Sequence, residues 1–93
     1  MASERVRRWV VVHGRVQGVF FRDSTRRVAR DAGVDGWVRN RGDGTVEAVL
    51  EGSPSAVDRV VGFMREGPAR ADVTDVHVSN EEEPEGLSGF EVR

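Results

Sequence analysis

The segment GWVRNRGDGTVEAVLEG, residues 36–52, carries two runs of strand character around Gly42-Asp43-Gly44, and a hairpin there constrains where every other element can go. Upstream, VRRWVVVH (6–13) is rich in β-branched residues and reads as a strand covered on at least one face. Phe21, Thr25, Val28, Ala29 and Ala32 then recur at helical spacing, with Arg26, Arg27 and Arg30 off that stripe. Gly33 is placed to end this helix. Downstream, Ser53 is an N-cap residue followed by proline at the first helical position. Val57, Val60, Val61 and Met64 form one apolar face, and Gly67-Pro68 stops the helix. The alternation in DVTDVHVS (72–79) predicts a further strand and GFEVR (89–93) a short terminal one, with NEEEPEG (80–86) between them as a solvated loop.

The order is therefore β-α-β-β-α-β with an optional fifth strand. Two helices cannot cover both faces of a four- or five-stranded sheet. Both are expected on one face of an antiparallel sheet, giving a two-layer α+β sandwich of the ferredoxin-like type. The chain has 93 residues, which suits one domain, expected over 4–93. That architecture hosts enzymes, RNA binders and ligand sensors alike, so function has to come from particular residues.

Composition removes several classes of function. The net charge of −2 argues against a general polyanion binder, despite fourteen basic residues. All fourteen are Arg, so any cation recruited to a site is a planar, bidentate donor that stays protonated. The absence of Cys excludes disulfides, thiolate zinc sites and cysteine nucleophiles. The N-terminal stretch MASERVRRWVVVHG is too short in apolar residues to span a bilayer and lacks the pattern of a signal peptide. A cytoplasmic monomer is the expectation.

Gly14 and Gly18 bracket Arg15-Val16-Gln17 between the first strand and the first helix. Glycines at such a place let consecutive N–H groups turn toward a common centre, and the helix N-terminus adds unpaired donors and partial positive charge. Arg22 falls at about that terminus, where its fork can bond phosphate oxygens. A plain connecting loop with a surface arginine is the alternative. A P-loop ATPase or GTPase is not expected, because the Lys-Ser/Thr that should follow the glycines is missing, as is an acidic magnesium site. Asn40 lies at the end of the strand entering the hairpin. It either bonds the turn backbone or uses its neutral amide to hold a water at a phosphorus atom.

The run Gly14-Arg15-Val16-Gln17-Gly18-Val19-Phe20-Phe21-Arg22 resembles the first signature of the acylphosphatase family. Gly36-Trp37-Val38-Arg39-Asn40, then after three residues Gly44-Thr45-Val46, with Gly52 following, resembles the second. The resemblance implies hydrolysis of a small-molecule acyl phosphate to a carboxylate and inorganic phosphate, with no metal or other cofactor; the negative net charge and the short apolar run add the expectation of no nucleic-acid and no membrane partner. It implies that phosphate is held by the loop of Arg15, Val16, Gln17, Gly18, Val19, Phe20 and Phe21 together with Arg22, and that Asn40 orients the attacking water.

A rival reading is a non-catalytic module of the same fold that binds RNA or a small anion. RNA readers of this kind need exposed aromatics on central strands, whereas Trp37, Phe63 and Phe90 fit core positions. Arg41-Gly42-Asp43 reads as hairpin chemistry rather than an adhesion motif. His13 and His77 sit in strands without a third metal ligand. Asp23 either tunes Arg22 or serves as a first-turn helix carboxylate, and Arg26, Arg27 and Arg30 read as a solvated helix face.

Overall fold

A computed structural model describes residues 4–81 and 83–93. Residues 1–3 of the N-terminal stretch and Glu82 of the acidic loop lie outside the described residues. The elements are β1 (Val6–Arg15), α1 (Phe21–Ala32), β2 (Asp35–Asn40), β3 (Val46–Gly52), α2 (Pro54–Glu66), β4 (Asp72–Glu81) and β5 (Phe90–Val92). They build one sheet in the order β4-β1-β3-β2-β5. The expected βαββαβ sandwich is present, and the short terminal strand forms.

Local chemistry explains the boundaries. Gly33 takes φ 73° and returns its N–H to the carbonyls of Ala29 and Arg30, ending α1. Ser53 Oγ accepts from Ala56 N at 3.3 Å, and Pro54 opens α2 where its missing N–H costs nothing.

One expectation needs correction: the sheet is mixed, not antiparallel. β1 runs antiparallel to β3 and β4, and β2 antiparallel to β3, but β5 runs parallel to β2. The chain leaves β4 where Glu81 faces Arg7 and enters β5 where Phe90 faces Gly36. Both points are at one end of the sheet, so the connection crosses that end and β5 has only one direction available.

Strand alternation sends Val10, Val12, Val38, Val46, Ala48 and Leu50 toward the helices, where they pack with Phe21, Ala29, Val57, Val60, Met64 and Phe90. Phe63 packs against this core, 6.4 Å from Phe21 between ring centres. Trp37 does not join it. As neighbour of Val38 on β2 it points to the opposite face, where the guanidinium carbons of Arg39 and Arg93 lie 5.6 and 5.0 Å from its ring centre.

The acidic loop is also more than a solvated connection. The N–H groups of Glu85, Gly86 and Leu87 donate to the carboxylate of Glu51 at 2.6, 3.1 and 2.9 Å, and Arg7 donates to it at 2.9 Å. Glu51 is fully buried beneath this strap. Burial pushes its carboxyl upward, but the amides of Glu85 and Leu87 and the Arg7 guanidinium outweigh that and hold it below the ordinary carboxylate range.

Candidate active site

The pairing of β1 with β4 shifts register between His13 and Gly14. Gly14 sits at φ 120°, and a Cβ there would run into the Asp72 carbonyl oxygen and the Thr74 nitrogen. Only glycine lets the strand end so close to β4 while turning into the loop that leads to α1. Gly18 follows at φ 74° and Phe20 at φ 63°, ψ 24°. Phe20 is the only non-glycine among the described residues with positive φ, a conformation that costs on the order of 1–3 kcal/mol.

This folding leaves a row of donors unused. Among the described residues, no main-chain or side-chain acceptor meets the N–H groups from Val16 through Asp23; the next one, Ser24 N, returns to Phe20 O at 3.0 Å. Phe20 caps α1 without a side-chain hydrogen bond, so the orphan amides of the first helical turn stay free. Positive potential from loop and helix therefore converges at one place.

A cavity of about 360 Å³ opens there, lined by Val16, Gly18, Phe20, Phe21, Arg22, Asp23, Arg26, Asn40 and Val92. Arg22 is the second residue of α1, half-buried, with no hydrogen-bond or ion-pair partner among the described residues. A cation in the first helical turn opposes the helix dipole. Asp23 does not relieve it: its carboxylate faces Arg26 at 2.6 Å and Arg27 at 3.7 Å. Arg30 donates to the carbonyl of Phe90 at 3.3 Å. Arg22 thus remains the uncommitted guanidinium of this cavity.

Asn40 closes the cavity from the sheet. As an alternate residue to Trp37 and Arg39 its side chain faces the helix side, and its Oδ1 is buried without a hydrogen-bond partner. Such an orphan is costly and rare in native proteins. Thr25 Oγ1 is also buried without a partner, but Thr25 does not line the cavity. The turn does not use Asn40. Gln17 Nε2 donates to the carbonyls of Arg41 at 2.7 Å and Thr45 at 3.0 Å, and Asp43 Oδ1 accepts from Thr45 N at 3.0 Å and from the Thr45 hydroxyl. Arg41-Gly42-Asp43 is accordingly turn chemistry.

The structure brings Val16, Gly18, Phe20, Phe21, Arg22 and Asn40 around one cavity. The other loop residues turn their side chains elsewhere: Arg15 to the Arg70 carbonyl at 3.3 Å, Gln17 to the hairpin, and Val19 into the core. Val92 and Arg26 line the cavity without having been singled out from the sequence as site residues. Their signal is tertiary, since β5 is set beside Asn40 only by its pairing with β2. His13 and His77 are exposed and belong to the open face of the sheet, where His77 meets Ser79 Oγ at 3.2 Å and the edge of Trp9. Among the described residues no three His, Cys, Asp or Glu side chains converge.

Fold and cavity together define a ferredoxin-like α+β protein with a donor-lined recess where its first helix begins. The acylphosphatase family profile matches residues 8–92, and the chain belongs to that family. An acylphosphatase of Haloarcula marismortui is 58% identical over 84 residues, covering 90% of this chain and 91% of that protein. One of Thermococcus kodakarensis is 56% identical over 89 residues, covering 96% and 97%. The crystal structure of acylphosphatase from Bacillus subtilis superposes with a TM-score of 0.92 at 35% identity, covering 95% of this chain and 98% of that one.

Proposed function

We propose that this protein hydrolyses acyl phosphates, with the phosphoryl group held between the loop amides and Arg22 and the attacking water held by Asn40. The observation that carries the assignment of roles is the pairing of opposite needs in one cavity. Unused donors and a free guanidinium suit a phosphoryl dianion, and an unpartnered buried acceptor suits a water.

The chemistry asks little else of the protein. The leaving carboxylate has a conjugate acid of pKa roughly 4, so it departs without a general acid. Water bonded to Asn40 Oδ1 attacks phosphorus in line as the P–O bond to the acyl group breaks. Its proton passes to a phosphoryl oxygen, and the products are a carboxylate and inorganic phosphate. Charge on the equatorial oxygens is met by preorganised amides and the Arg22 fork, which need no reorganisation during the reaction. No metal is required by this scheme, and the working unit is one domain, 4–93, acting as a cytoplasmic monomer.

The RNA-binding alternative is not favoured by the open sheet face. Trp37 is already covered by Arg39 and Arg93, and Trp9 Nε1 donates to Glu47 at 2.6 Å, so stacking surface is taken and acidic groups are present. The test is release of phosphate from acetyl phosphate with a chelator present, across neutral pH. A chelator-insensitive rate that is nearly flat with pH is expected. A steep bell centred near a histidine pKa, or loss of rate on chelation, overturns the scheme.

A further inference from the structure

Among the described residues two large apolar side chains are left exposed, Phe20 at 72% and Val92 at 36%. Both line the cavity of Arg22 and Asn40, although one caps the start of α1 and the other ends β5. Folding does not explain Phe20. Its backbone is in the left-handed region, where Asn or Gly would sit at lower cost, and its ring gains little burial. A phosphate has five heavy atoms and, at roughly 30 Å³ for each water-sized group, fills less than half of the cavity. Buried Phe21 and Val16 extend the apolar lining inward.

We infer that Phe20 and Val92 form an acyl-group subsite that selects acyl phosphates with an uncharged, apolar or aromatic acyl part. This rests on the acyl phosphate reading above. The charge at the rim agrees with it. Arg26, the second guanidinium of the cavity, is committed to Asp23 at 2.6 Å, so no spare cation waits for an anionic acyl group. An apolar acyl part instead covers the Phe20 ring and the Val92 methyls, removing from water surface that is otherwise exposed.

The experiment compares kcat/KM for benzoyl phosphate and acetyl phosphate in wild type, Phe20→Asn and Val92→Ala, with inorganic phosphate as inhibitor in each. Asn tolerates the left-handed backbone, so the first variant removes the ring without straining the loop. Wild type is expected to favour benzoyl phosphate by about tenfold or more, and the ratio to fall about fivefold or more in Phe20→Asn and less in Val92→Ala. The phosphate inhibition constant is expected to move less than that ratio. A wild type that prefers acetyl phosphate, or a ratio unchanged in both variants, overturns the subsite while leaving the hydrolytic reading intact. A wild type that hydrolyses neither ester-like anhydride overturns that reading instead.

Discussion

The side-chain amide of Gln17 donates to the carbonyl of Arg41 at 2.7 Å, tying the donor-lined loop to the hairpin one residue beyond Asn40. A second bond from the same nitrogen reaches the Thr45 carbonyl at 3.0 Å. The loop amides and Asn40 come from elements distant in sequence, and this amide ties one to the other.

Gln17→Ala is therefore expected to lower stability by about 1–2 kcal/mol, the scale of lost hydrogen bonds whose acceptors keep other partners. Turnover should fall about 10–100-fold, because small misplacements of reacting groups are costly. Urea unfolding and acyl phosphate kinetics read the two effects. Normal turnover in a destabilised variant would show that the tether serves the fold alone.

Arg22 has no partner to lose, so Arg22→Ala should leave unfolding stability within about 0.5 kcal/mol of wild type. Activity should drop on the order of 10³-fold or more, as for arginines that neutralise phosphoryl transition states. Arg22→Lys should not restore it, since the bidentate fork is gone. A lysine variant with near-normal activity would reduce the role of Arg22 to a point charge.

Asn40→Ala removes a buried acceptor that the fold leaves unsatisfied, so its stability is expected to equal or exceed wild type. Turnover should fall about 10²–10³-fold, with inorganic phosphate still inhibiting at nearly its original concentration. Equal losses in phosphate affinity and turnover would place Asn40 on the phosphoryl group rather than on the water.

The strap over Glu51 makes stability depend on pH. Its folded pKa is depressed, so the carboxylate stabilises the native state above its ordinary value of 4.5, and that contribution is lost as pH falls through the folded value. Unfolding free energy should decline below about pH 4.5. Glu51→Gln should cost about 3 kcal/mol near neutrality by leaving Arg7 and three amides poorly matched. It should also flatten the acid limb; an unchanged limb would assign acid sensitivity to other carboxylates, of which Glu47 is also depressed.

Much of this was legible in the residues themselves. Gly33, Ser53-Pro54 and Gly42-Asp43-Gly44 act locally, and each ended or turned the chain where its chemistry demanded. Gly14 and Gly18 marked the turn that leaves amides unpaired at the start of α1, because a Gly-bracketed loop and a helix N-terminus are also local. What escaped is tertiary. Period-two alternation cannot tell which face of a sheet is covered, so Trp37 fell on the wrong side. An acidic loop looks solvated until Glu51, more than thirty residues earlier, is found gathering its amides. The place of Val92 beside Asn40 follows from the parallel pairing of β5 with β2, which no stretch of either strand encodes alone.

The most direct measurement is a crystal structure with inorganic phosphate bound. Its oxygens are predicted to lie within hydrogen-bonding distance of the main-chain N–H groups in the Val16–Asp23 stretch and of the Arg22 guanidinium, with a water on Asn40 Oδ1. Phosphate settling instead in the cleft of Arg26, Arg27 and Arg30, with Arg22 turned to solvent, would contradict the account.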